Sequence, residues 1–327
     1  MLSSILSNPI LLGLVLIVGL VLLVWGADRL VDGASALAKR IGVSDLVVGL
    51  TIVAFGTSMP EFVVNMVSVA DGATDLAITN ILGSNIINTL VILGCSAVVF
   101  PVVAQRGTIR FDIPMNILAG ILVLLFVSVS VPIDSYAGLS RLEGGVLLAF
   151  FVLFLVYTFR TAKQGSSDNK SSSAAVLPVW KCLLLVVVGL VCLVVGGEMI
   201  VKSATAIAHR LNVAESVIGL TIVALGTSLP ELATSVVAAF KRNSDIAVGN
   251  VIGSNIFNVF FILGTSAVIR PLPAYDSIRT DALLTAVSAA LVLALVLTNR
   301  QHAIKRWGGA VLLIVYAAYL SYRLMNC

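Results

Sequence analysis

GLTIVAFGTSMPEFVV at residues 49–64 returns as GLTIVALGTSLPELAT at residues 219–234, and NILGSNIINTLVILG at 80–94 returns as NVIGSNIFNVFFILG at 250–264. The offset is 170 residues in both cases, and no gap is needed between them. Of the 46 positions from Gly49 to Gly94, 23 are identical to their counterparts. The offset extends outward, pairing Asp28 with Glu198 and Pro101 with Pro271. A duplication therefore covers essentially the whole chain, and a residue that recurs at this offset is under the same physical demand twice.

The background of the repeat is strongly apolar. The 327 residues are 59% hydrophobic and 11% charged, against roughly 25% charged in an ordinary soluble domain. A polar shell around a single core cannot be built from that composition, so the chain reads as an integral membrane protein. At about 20 apolar residues per crossing, it accommodates ten helices with short connections. Apolar runs bounded by charges, Pro and Gly predict helices near 9–40, 44–70, 75–100, 110–132 and 141–160, then near 179–210, 214–240, 245–269, 277–299 and 303–325. The fold class expected is an all-α membrane protein, with ten transmembrane helices as two inverted five-helix repeats. The repeats span residues 1–161 and 179–327, joined by a cytoplasmic linker at 162–178 that contains QGSSDNKSSS, a composition of small polar residues typical of flexible connections. The N-terminal apolar run lacks a basic leader and aligns with an internal helix of the second copy, so it reads as a retained first helix rather than a signal peptide.

Lys and Arg number 13 in alternate loops and 5 in the others. The richer set is expected to face the cytoplasm, which places both termini outside. The net charge of +4 is thus explained by membrane orientation and gives no reason to invoke nucleic acid. Cys95, Cys182, Cys192 and Cys327 lack the paired spacing of a zinc or redox motif, and the two histidines are isolated. Five crossings per copy is an odd number, so the second copy enters the bilayer upside down. In secondary transporters that plan puts the binding site at the midplane between repeats.

Within GTSMPE at 56–61 and GTSLPE at 226–231 lie Glu61 and Glu231, each in a predicted crossing helix. An ionised group at the bilayer centre costs at least ~2.5 kcal/mol, and no basic residue lies in either helix body to offset it. Pro60 and Pro230 each remove an amide donor, so both helices should kink or break and release backbone carbonyls. Thr57 and Ser58 precede Glu61 by four and three residues and are expected on its face of the helix, as are Thr227 and Ser228 for Glu231. Carboxylate, hydroxyl and carbonyl oxygens are hard ligands for Na⁺ or Ca²⁺. The next helix of each copy carries a polar stripe at spacings of four: Asn80, Ser84 and Asn88, matched by Asn250, Ser254 and Asn258. One such residue alone is ordinary helix packing; repetition of the whole set favours a binding site. Asp28 and Glu198 read as interfacial beside Arg29 and Lys202, and Asp75 and Asp245 as helix caps.

The paired GTS-x-PE and GSN-x-x-N segments, each within a five-helix repeat, resemble the two alpha repeats of the calcium/cation antiporter superfamily, and most closely its bacterial sodium/calcium exchanger-like branch. The resemblance implies ten helices and alternating exchange of Ca²⁺ against Na⁺ or H⁺. It also implies an ion-ligand set of Ala54 (backbone), Thr57, Ser58, Glu61, Ser84 and Asn88, with Ala224 (backbone), Thr227, Ser228, Glu231, Ser254 and Asn258. Where well-known sodium/calcium exchangers carry an Asp, this chain has Asn258, which removes a third acid from the site. The function expected is secondary active antiport of Ca²⁺ for Na⁺, with Ca²⁺/H⁺ exchange the alternative. A channel would need a continuous pore of weak sites. A membrane enzyme would need a nucleophile and base or a metal cluster near the motifs, where no His or Cys lies. The expected partners are the transported ions and the lipid bilayer of the cell (inner) membrane. No cofactor, nucleic acid or obligate protein partner is called for.

Overall fold

A computed structural model describes residues 9–128, 138–162, 177–211, 213, 222, 224–275 and 277–325. In chain order the helices are α1 (Pro9–Ile41), α2 (Asp45–Thr57), α3 (Met59–Asp71), α4 (Thr74–Val99), α5 (Thr108–Ser128), α6 (Arg141–Ala162), α7 (Val179–Arg210), α8 (Ala224–Gly226), α9 (Leu229–Phe240), α10 (Ser244–Ile269), α11 (Ile278–Leu297) and α12 (Arg306–Met325). Among the described residues, eight helices are long and apolar enough to cross a membrane, and nine crossings result if α2 and α3, bent by 45° at their junction, count as one. The helix expected over 214–240 is described mainly in its second part, α8 and α9. Its start lies outside the described residues, as do most of the 162–178 linker and the last two residues.

The helices that carry the GSN segments are the centre of the molecule. In α4 and α10, 78% and 94% of the most apolar stretch is buried inside the protein, against 28% in α1, α6 and α7 and 17% in α12. The outer helices turn Leu14, Ile17, Val21 and Val24 of α1 and Leu184, Val187 and Val191 of α7 outward. A continuous apolar exterior of that size is incompatible with water and matches lipid. The chain is thus a multi-pass membrane protein with an apolar exterior, whose interior holds both an apolar core and a set of buried polar residues.

α1 and α7 run antiparallel along a seam of small residues. Gly19, Gly26 and Gly33 face Gly196, Gly189 and Cys182, and a Cβ on Gly26 would lie 2.8 Å from the Gly189 carbonyl oxygen. Spacings of seven keep one face of each helix on the seam, and the missing side chains bring the two backbones into direct contact.

Two short antiparallel ribbons tie the connections together. β1 (Val102–Val103) pairs with β4 (Ala303–Ile304), and β2 (Gly138–Leu139) pairs with β3 (Leu272–Pro273). β1 and β3 follow α4 and α10 and lie 170 residues apart. The first residues of α6 and α12 act as C-terminal caps for these same helices. Arg141 donates to the carbonyl of Ile269 and Arg306 to that of Val99, both at 3.4 Å, placing a cation where the helix dipole is negative.

The reading of Asp75 and Asp245 as caps is corrected. Both lie in the first turn, but the cap positions are Ala73, with no side-chain bond, and Asn243, whose Oδ1 accepts from the Ile246 amide at 3.0 Å. An Asp one residue inside the helix helps the dipole without reaching the free amides. Asp245 instead accepts from Gln105 at 2.6 Å.

Candidate functional site

Pro60 and Pro230 stand in the first turn of α3 and α9, where the missing amide would have had no helical partner. Each proline thus starts a new helix rather than kinking an old one. The break falls on Ser58 and Ser228, whose backbones adopt nearly the same sparsely populated conformation (φ −83°, ψ 7° and φ −87°, ψ 5°). Glu61 and Glu231 are each the third residue after the break. Both sit at the positive end of a half-helix, and both are fully buried.

The break redirects the hydroxyls. On a continuous helix Ser58 would serve Glu61; instead it donates to Oε1 of Glu231 at 2.9 Å, and Ser228 donates to Oε1 of Glu61 at 3.3 Å. Ser84 adds a 3.4 Å bond to Glu61 Oε1. Thr57 also leaves its expected carboxylate and bonds Oδ1 of Asn250 at 3.0 Å and the carbonyl of Ala54 at 3.3 Å. That carbonyl accepts from Ser254 as well, at 3.5 Å. Thr227 is partly exposed, whereas Thr57 is fully buried. The backbone of Ala224 begins the short turn α8 just before the second break.

The polar stripes divide. Ser84, Asn88, Ser254 and Asn258 are buried in α4 and α10, whereas Asn80 and Asn250 act as braces. Asn80 donates to Asn65 at 2.8 Å, and Asn250 donates to Ser235 at 2.9 Å and to the Glu231 carbonyl at 3.3 Å. Asn88 opens a π-helical turn over Asn88–Ile92, and Asn258 lies in one over Phe257–Leu263. Such widened turns recur where a helix is shaped for function rather than regularity.

Several buried polar atoms have no partner among the described residues: Oε2 of Glu61, Oε2 of Glu231, both side-chain polar atoms of Asn88, and Oδ1 of Asn258. Orphans of this kind are expensive. Four of the five are oxygens, so the site is short of positive charge or donors rather than of acceptors. That donor set fits a hard cation. Among the described residues no group of three or more His, Cys, Asp or Glu could hold a metal. Any cation here would be shared by two carboxylates and neutral oxygens.

Sequence reasoning missed Asn85 and Asn255, each buried and bonded across the repeat interface. They are the N of the two GSN segments and recur at the same offset, so the criterion that flagged their neighbours applied to them too. Asn65, whose counterpart is Ser235, carried no such signal. The peripheral acids are ion-paired. Asp28 pairs with Arg29 at 2.9 Å and Lys241 at 2.7 Å, and Glu198 with Lys202 at 2.6 Å. Outside the crossings, burial and the neighbouring Asp281 push the Tyr275 phenol up, which keeps it a donor to that carboxylate at 2.7 Å.

Known proteins share this architecture. The model of the family described as sodium/calcium exchanger protein matches residues 11–160 and again 181–325. The inner membrane protein YrbG of Escherichia coli (strain K12) is 40% identical over 78% of this chain and 79% of its own length. The sodium/calcium exchanger MaX1 of Methanosarcina acetivorans is 31% identical over 94% of this chain and 97% of its own. Among solved structures, the sodium-calcium exchanger NCX_Mj superposes with a TM-score of 0.81 at 31% identity, covering 96% of this chain and 99% of its own. MaX1 and NCX_Mj are exchangers, that is, transporters rather than enzymes. With its paired broken helices and buried carboxylates, the chain belongs to the sodium/calcium exchanger protein family.

Proposed function

We propose that this protein is a secondary active antiporter that exchanges Ca²⁺ for Na⁺ by alternating access. The observation that carries the reading is the pair Glu61 and Glu231, fully buried, each with an Oε2 that has no partner among the described residues; no ion pair among those residues reaches either. Two buried carboxylates without a cation or protons are costly to carry through an occluded state. An empty site therefore does not cross, and movement in one direction is tied to cargo in each. The proposed ligands are Glu61, Glu231, Thr57, Ser58, Thr227, Ser228, Ser84, Asn88, Ser254 and Asn258, with the Ala54 and Ala224 carbonyls.

The reading takes ten crossings, as two inverted repeats of residues 1–161 and 179–327. The ribbons support it. Six crossings separate β1 from β4 and four separate β2 from β3, counting α2–α3 and the segment through α8 and α9 as one crossing each. Even numbers return paired strands to the same side of a bilayer. The 13 to 5 distribution of Lys and Arg supports a linker in the cytoplasm and termini outside, and the membrane proposed is the cell (inner) membrane.

Na⁺ is preferred over H⁺ because two protons would neutralise the carboxylates without the hydroxyls and amides. Those neutral oxygens suit weak-field monovalent sites beside the carboxylate pair. In proteoliposomes at clamped pH, an outward-directed Na⁺ gradient should drive ⁴⁵Ca²⁺ uptake. Uptake driven by a pH gradient in Na⁺-free medium, with none from a Na⁺ gradient, would establish the proton alternative.

A further inference from the structure

An asparagine side chain facing a cation helps or hinders according to which end of its amide points inward. The structure fixes that choice for Asn258. The Nδ2 of Asn85 donates to the backbone carbonyl of Asn255 at 3.1 Å. A carbonyl can only accept, so this contact sets the orientation of the Asn85 amide and turns its Oδ1 the other way. Oδ1 of Asn85 in turn requires a donor and receives Nδ2 of Asn258 at 3.0 Å. The Oδ1 of Asn258 is left buried and without a partner among the described residues. We infer that Asn85 is a positioning residue that holds the Asn258 amide with its carbonyl oxygen, rather than its NH₂, toward the cation site.

The pseudo-equivalent position shows that this arrangement is not a by-product of the duplication. Symmetry would have Asn255 hold Asn88 in the same way. Instead Nδ2 of Asn255 donates to Thr89 at 2.8 Å, and the residue matching Thr89 in the second copy is Val259, which cannot accept. Both polar atoms of Asn88 have no partner among the described residues. One amide of the pair is held by a hydrogen bond and the other, among the described residues, is not. An Asp at 258 would need no lock, because both of its terminal atoms are acceptors; the lock accompanies an Asn.

The inference rests on the cation-binding reading, and it is tested by equilibrium Ca²⁺ and Na⁺ binding to the purified full chain in four forms: wild type, Asn85→Leu, Asn258→Asp, and the double variant. Asn85→Leu should weaken Ca²⁺ binding about tenfold in the Asn258 background and less than twofold in the Asn258→Asp background. Asn85→Ala is read in the same way should the leucine variant not fold. Asn255→Leu keeps the backbone carbonyl that Asn85 uses, so it should show no such dependence on residue 258. Equal losses in both backgrounds, or no loss in the native one, would overturn the lock while leaving the transporter reading intact. A wild-type protein that binds neither ion would overturn the transporter reading itself.

Discussion

Glu61 and Glu231 owe their surroundings to each other's repeat. Ser58 bonds Glu231 and Ser228 bonds Glu61, so each carboxylate depends on a hydroxyl that lies 173 or 167 residues away in sequence. Replacing either glutamate with Gln keeps the volume and removes half of the charge that would neutralise a divalent ion. Ca²⁺ flux in proteoliposomes should fall to background for both variants while size-exclusion profiles stay monodisperse; near wild-type flux in both would exclude the site. The crossed hydroxyls make a sharper prediction. Ser58→Ala should weaken Ca²⁺ binding about tenfold, and a double-mutant cycle should find Ser58 coupled to Glu231 more strongly than to Glu61. Stronger coupling within one repeat would mean that the helix is not broken as described.

At the scale of the element, the prolines and glycines do different work. Pro60 and Pro230 occupy the first helical turns, where they allow α3 and α9 to start beneath a carboxylate with their positive ends toward the site. The glycines of α1 and α7 allow two long helices to touch backbone to backbone. A Cβ at Gly189 would lie 2.7 Å from the Leu30 amide nitrogen and 2.8 Å from the Gly26 carbonyl oxygen. Neither is the end of a flexible side chain, so the helices themselves must separate. Gly189→Leu should destabilise the detergent-solubilised protein by roughly 1–3 kcal/mol, read as a lower Tm in a thermal-shift assay. Gly145, whose added Cβ would meet nothing within 4 Å, is the control, and Gly145→Ala should leave Tm nearly unchanged. Equal shifts would show that the seam is not close-packed.

Across the whole molecule, the two ribbons and the capping arginines bind each repeat to the other at both ends, and the proposed topology places one end in the cytoplasm. In a background without the native cysteines, Gln301→Cys should react with a membrane-impermeant maleimide only from the cytoplasmic side. Leu211→Cys, 72% exposed, should react only from outside. The reverse pattern would invert the orientation, and labelling of both from one side would refute the crossing count.

The sequence by itself determined that the chain lives in lipid, that it is built twice, and which residues repeat an expense no structural need explains. Those conclusions rest on composition, on a constant offset and on the cost of burying a charge, all of which are local or countable properties. Among the described residues it also located the long helices and a break beside each proline, because Pro and Gly act through their own backbone. It could not assign partners. Spacing on one helix put Ser58 with Glu61, Thr57 with the same carboxylate, and Asn85 with nothing. The structure sent Ser58 to Glu231, Thr57 to Asn250, and Asn85 into the contact that orients Asn258. Hydrogen bonds between repeats depend on how two half-helices meet in space, and a periodicity within one helix carries no information about that meeting.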